Sequence, residues 1–155
     1  MSFREIITGQ LDKAQSRFAG NDAGNAPTLL MLGGFKFSLN TAAFQEMQRS
    51  TSYRWPAQER VGQLDALQFT GPGDDRITLP GTVYPDFRGG QGQVQALRSI
   101  AALGKPVRLI SASGEMMGAW VIESVEETAS GFKVDGKPRR QDFTVSIRKF
   151  SDADV

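Results

Sequence analysis

The side chains that most often carry enzyme chemistry are missing, because the chain holds no histidine and no cysteine among its 155 residues. Imidazole bases, thiolate nucleophiles, disulfides and Cys or Cys/His zinc sites are thereby excluded. Carboxylate, lysine, tyrosine and hydroxyl chemistry remains. Asp74-Asp75 and Glu126-Glu127 are adjacent carboxylates, but neighbours in an extended chain point to opposite faces, which is poor geometry for an acid–base couple. A turn and a strand end account for them. Gly89-Gly90-Gln91-Gly92-Gln93 opens a helix and could present backbone N–H groups to an anion. It lacks the Gly-Lys-Ser/Thr ending of a phosphate loop and follows no βαβ pattern. Lys133, Lys137, Arg139, Arg140, Arg148 and Lys149 are the densest cations. Only Phe132 and Phe150 lie near enough to stack on bases, so acidic protein surfaces suit Arg139 and Arg140 better than nucleic acid does. These residues predict no catalytic, cofactor or metal site and no enzyme.

Composition agrees. Eighteen Lys and Arg face seventeen Asp and Glu, a net charge of +1 that draws the chain to neither nucleic acid nor membrane. Arg4, Glu5, Asp12, Lys13 and Arg17 rule out a signal-peptide core, and no apolar run approaches the ~20 residues that span a bilayer. The expectation is a protein made and kept in the cytoplasm until it joins something larger. Its length fits one domain able to bury roughly two thirds of its unfolded surface.

The elements that must position these residues come in sequence order. Residues 1–19 read as an amphipathic helical arm: Ser2 caps with Glu5 three residues on, and Phe3, Ile7, Leu11, Ala14 and Phe18 form one narrow stripe about 25 Å long. A linker, 20–28, follows, rich in Gly, Asn and Ala. The stripe alone fits a helix folded back on its own domain's sheet equally well, but a short isolated helix on a flexible tether is marginal in water, so Phe3, Ile7, Leu11 and Phe18 are expected to dock on a neighbouring subunit or another protein. Residues 29–150 form a β-rich core and 151–155 a polar tail. In the core, Leu30, Leu32, Phe35 and Phe37 alternate around Gly33-Gly34, predicting a strand with a bulge or sharp bend. Ala42 to Arg49 is read as strand.

The stretch 52–85 organises the rest. Arg54-Trp55-Pro56 and Arg60-Val61-Gly62 read as a structured loop leading into a hairpin. Leu67 and Phe69 form one arm, Gly71-Pro72-Gly73-Asp74-Asp75 the turn, and Ile77, Leu79, Gly81 and Val83 the other arm. Val94, Leu97, Ile100 and Ala101 mark a helix stopping at Leu103-Gly104, with Pro106 beyond. Strands then start at Val107 and Met117, and Asp135-Gly136 turns a final hairpin into Phe143, Val145 and Ile147. Seven or eight strands and one core helix predict an α+β fold, an antiparallel β-sandwich or barrel flanked by one helix, with the N-terminal helical arm.

Met31-Leu32-Gly33-Gly34-Phe35-Lys36-Phe37, the segment from Gln48-Arg49 to Arg54-Trp55-Pro56, Arg60-Val61-Gly62, Gln68-Phe69-Thr70-Gly71-Pro72, Ile77 to Gly81, Gly118 to Ser124, and Asp135-Gly136-Lys137-Pro138-Arg139-Arg140 before Phe143 form an ordered set of motifs. Together they resemble the tail protein U (gpU-like) family of contractile-tailed phages and a related baseplate component of R-type pyocins, phage-tail-like bacteriocins. The resemblance runs from about Met31 to Phe150, with residues 1–28 an addition, and makes Trp55, Pro56, Arg60, Gly62 and Gly71 its motif residues. It implies a non-enzymatic virion component with a tail-tube-like sandwich in six copies per particle. The implied place is the baseplate, linking tail tube and hub proteins to wedge and sheath proteins beside a LysM-type tail protein. Assembly in the bacterial cytoplasm and release by lysis are implied as well. A tail terminator at the head-proximal end is the alternative within the resemblance. From other classes, a nucleic-acid-binding module needs its cations on one surface, and a wall hydrolase needs two carboxylates converging in a cleft.

Overall fold

Apolar residues alternate with polar ones through Ile77, Leu79, Gly81 and Val83, and again through Phe143, Val145 and Ile147. A computed structural model, which describes residues 27–39, 42–86, 90 and 92–151, turns both rows inward. Ten strands and one helix occur among these residues. In order they are β1 (Thr28–Leu32), β2 (Phe35–Ser38), β3 (Ala43–Phe44), β4 (Gln48–Arg54), β5 (Ala57–Gln58), β6 (Ala66–Leu67), β7 (Gly71–Val83), α1 (Gln93–Ala102), β8 (Val107–Ser111), β9 (Met116–Phe132) and β10 (Pro138–Lys149). The main sheet is antiparallel, in the order β2-β1-β8-β9-β10-β7-β3, with β4 also pairing β7 and β5-β6 forming a separate ladder.

This sheet curls into a half-barrel, and aromatic rings close its seam. Phe37 of β2 lies edge-on to Phe44 of β3 at 6.0 Å and stands 6.3 Å from Phe143, while the Ala42 N–H donates to the Ser38 carbonyl at 3.2 Å. Leu32, Phe37, Leu79, Leu109, Trp120 and Val145 are fully buried inside. Helix α1 adds Val94 and Leu97 to that core, and its end carries the expected stop: Gly104 is left-handed at φ 63° and donates to the Ala101 carbonyl. Close packing makes Gly81 obligatory, since a Cβ there would lie 2.5 Å from the Ala43 carbonyl oxygen and 2.5 Å from the Phe143 ring.

The α+β class with one helix and a curled antiparallel sheet agrees with the sequence reading; the details differ in four places. Gly33-Gly34 makes a tight two-residue turn, pairing Leu32 with Phe35, so the predicted bent strand is the hairpin β1–β2. Ala42 to Arg49 splits into β3 and the start of β4, both running along β7. Thr28, assigned to the linker, is the first residue of β1. The largest difference concerns Gly71 to Asp75, which continue β7 instead of turning. Proline is tolerated there because β10 pairs β7 only from Arg76 onward and the β4 register slips between Thr51 and Tyr53, a bulge next to Pro72 that sets Gly73 and Asp74 against Ser52. Gly73 is part of the same device, for its absent Cβ would meet the Ser52 Oγ at 2.3 Å. The hairpin therefore has β4 and β7 as its arms, and the expected hairpin arm, Leu67 and Phe69, lies in the connection between them.

The predicted helical arm, with Phe3, Ile7, Leu11 and Phe18, and most of the linker and the polar tail lie outside the described residues.

Candidate functional site

Strand β7 outruns its neighbour β10, and this overhang builds the site. Past Arg76 the residues Gly71 to Asp75 pair with β4 alone, giving a two-stranded ribbon that projects from one rim by about 17 Å at ~3.4 Å per residue. All seven residues of β4 are exposed. A two-stranded ribbon cannot bury a face by itself and is marginal in water. Its far end nonetheless carries large apolar groups in the open: Tyr53, Trp55, Val61, Leu64, Leu67 and Phe69, with Leu64 92% exposed. The Trp55 and Phe69 rings lie 5.0 Å apart, and Ala57 pairs directly with Leu67 in the β5–β6 ladder. With a period of two along each strand, Trp55, Ala57, Leu67 and Phe69 share one face. That face is apolar, and among the described residues nothing covers it.

Ion pairs fix the ribbon to the barrel. Arg49 donates from Nε to Asp75 Oδ1 at 2.9 Å and from Nη2 to Oδ2 at 2.5 Å, and Thr51 Oγ1 adds a third bond at 3.2 Å. The hydrogen bonds from Arg49 hold the nearly buried Asp75 carboxyl below the usual carboxylate range, against the opposing effect of burial. The same bonds raise Arg49, whose guanidinium lies 5.8 Å over the Trp120 ring. On the other face, Asp74 accepts from Arg148 and Arg76, and both arginines approach Glu123. Asp74 and Asp75 thus face opposite ways with separate cations, as the extended backbone requires.

The motif residues divide accordingly. Trp55, Pro56, Arg60 and Gly62 come together at the ribbon end, with Gly62 left-handed at φ 71°, and Gly71, at φ 124°, starts the returning strand. Arg139 and Arg140 lie at the opposite rim, in the β9–β10 hairpin beyond the Val83 end of β7. The cations read as one group are not one surface: from Arg140 to Arg148 the strand covers roughly 27 Å at ~3.4 Å per residue. Several are also neutralised, Lys133 by Asp86 and Arg140 by Asp142 at 2.9 Å. Hydrogen bonds from Thr82 and then Arg140 lower the Asp142 carboxyl, and Asp142 raises Arg140. Glu127 accepts from Arg98 at 2.6 Å and from Gln141 at 2.7 Å, which ties β9 to α1 and β10. Of the anion-loop run, Gly92 caps α1 at φ 74° without a side-chain bond. Among the described residues no group of three or more Asp or Glu is placed to hold a metal, and no helix is long and apolar enough to cross a membrane.

Sequence reasoning missed that Tyr53, Leu64, Leu67 and Phe69 are outside. The available signal was the polar run Gln48-Arg49-Ser50-Thr51-Ser52, which no buried strand tolerates, paired with a Gly- and Pro-containing partner. It also missed the Arg49–Asp75 clamp.

The family described as Phage P2 GpU matches residues 33–152, and the chain belongs to that family. The match makes it a phage tail-related structural protein. It is similar to the "Probable tape measure protein" of Halomonas phage phiHAP-1, 26% identical over 119 residues that make up 76% of this chain. The chain spans 14% of the length of that relative. Among solved structures, a chain of the virion of the native gene transfer agent particle is similar over 81% of this chain and 92% of its own, with 13% identity and a TM-score of 0.49. A chain of the tail of the empty gene transfer agent particle, computed with C6 symmetry, is similar over the same shares with 12% identity and a TM-score of 0.46.

Proposed function

With family membership as the premise, we propose that this chain is a non-enzymatic joint in the baseplate of a contractile phage or R-type pyocin tail. It links tube and hub proteins to the wedge and sheath-initiation layer in six copies per particle. The observation that carries this reading is the core-less ribbon ending in an exposed aromatic face, in a member of a tail protein family. Apolar patches of this kind on a small domain mark interaction surfaces, and Tyr and Trp supply large contact area at low entropic cost. The ion pairs at the ribbon base hold that face at a fixed distance from the barrel. The β9–β10 hairpin at the other rim, with exposed Phe132 and Val134, supplies a second contact for an acidic neighbour. One protein can therefore bridge two layers. The stripe of Phe3, Ile7, Leu11 and Phe18 locks into a neighbouring protein in the finished particle.

The test is a particle-forming strain whose copy of this chain has Trp55 and Phe69 both replaced by Ala. The expected result is tails lacking complete baseplates, with the variant absent from purified particles. Tails of irregular length with intact baseplates would move the protein to the head-proximal terminator position, and normal contractile particles would overturn the docking role of the ribbon.

A further inference from the structure

The ribbon face is an apolar surface that water disfavours, residues 1–19 carry an apolar stripe in their sequence, and the topology starts β1 at the rim from which the ribbon projects. Strands β1, β7 and β9 run in the same direction, since each pair is separated by an even number of antiparallel steps in the sheet. The start of β1 at Thr28 therefore opens onto the rim from which the ribbon projects. In the curled sheet only β2 stands between β1 and the β3–β4 side, because β2 meets β3 through Phe37 and Phe44. We propose that residues 1–19 cover the apolar face of the same chain's ribbon before assembly, and release it when a tail partner binds.

Lengths permit this. Residues 20–27 can span up to about 28 Å when extended, and the helix that the sequence predicts over residues 3–18 would be about 24 Å long, comparable with the ribbon. Charges permit it too. Arg54 and Arg60 balance Glu59 and Asp65 at the ribbon end, and the stripe is flanked by Arg4, Arg17 and Lys13 with Glu5 and Asp12. Neither side repels the other. A segment tied by a linker this short meets its own ribbon at an effective concentration near millimolar, far above that of another copy. Covering the face would keep Trp55 and Phe69 from associating with other chains until the partner arrives. The inference rests on the ribbon being a docking surface, but not on which part of the tail it docks to.

The absence of cysteine makes the test clean. Purified full-length protein with Leu11→Cys and Leu64→Cys is exposed to a mild oxidant, beside a control pairing Asp12→Cys, off the stripe, with Leu64→Cys. The expected product is a monomer closed by an internal disulfide, formed at least tenfold faster than in the control. Acrylamide quenching reads the same contact without cysteines, for Trp55 is exposed and Trp120 is buried. Deleting residues 2–18 should raise the quenchable share of emission from near zero to about half. Disulfide dimers without internal closure would assign the stripe to another copy and overturn the proposal. Equal rates in both pairs, or quenching unchanged by the deletion, would overturn it as well. Either failure leaves the particle test of Trp55 and Phe69 untouched, so the two readings fail separately.

Discussion

Strand β7 is one run of backbone whose halves are held by unrelated forces. From Ile77 to Val83 every second side chain is buried, β10 and β3 or β4 flank it on both sides, and Gly81 sits where no Cβ fits. From Gly71 to Asp75 it has one neighbour and no core, and it depends on ion pairs with Arg49, Arg148 and Arg76. The first half is stabilised by apolar burial and tolerates little change. The second half turns its apolar residues away from the barrel core, where they add nothing to the packing of the described residues and suit a partner or the chain's own N-terminal stripe. Function is expected in the half that is least stable alone, as holds for binding elements in general.

The comparison breaks most sharply in the core. Trp120→Ala should lower the unfolding free energy by about 3–5 kcal/mol in a denaturant titration, since the ring is fully buried and its Nε1 donates to the Met117 carbonyl at 3.0 Å. Next comes the clamp. Asp75→Ala leaves Arg49 without its bidentate partner and should cost about 2 kcal/mol, held at the lower end because Arg49 is partly exposed. Hydrogen exchange should then quicken in residues 48–54 while residues 143–147 keep their protection.

The pH dependence follows from the same carboxylate. Asp75 is lowered in the folded protein, so its contribution is complete above its unfolded value and is lost as pH falls through the lower folded one. Melting temperature should drop below about pH 4, and Asp75→Asn should be less sensitive over that window. Asp142 adds a smaller effect of the same sign. The smallest effect on stability belongs to the ribbon end. In the chain lacking residues 2–18, Trp55→Ala should change the unfolding free energy by less than ~0.5 kcal/mol, yet in the full chain the particle assay should show its largest defect there. A Trp55→Ala protein that melts like Trp120→Ala would erase the distinction between the halves.

Much of this was legible in residue patterns. Period-two alternation through Phe143, Val145 and Ile147, the Asp135-Gly136 turn and the Gly104 helix stop each state a local preference that the fold keeps. Motifs from Met31 to Phe150 pointed to the family that matches residues 33–152. The ribbon was misread because Gly71-Pro72-Gly73-Asp74-Asp75 has turn composition, and only the missing β10 neighbour and the bulge at Ser52 make those residues a strand edge. Leu67 and Phe69 alternate as an inward face would, and alternation cannot say whether anything lies on the apolar side.

By itself, the sequence determined the chemistry and the local elements: no imidazole or thiol, near-neutral charge, strands of period two and one capped helix. These follow from side-chain identity and short-range backbone preference, which need no partner in space. Tertiary structure alone decided which alternating stretches found a core and which were left in water, and which acid met which base, because strand register and the overhang of β7 past β10 are relations between segments far apart in the chain.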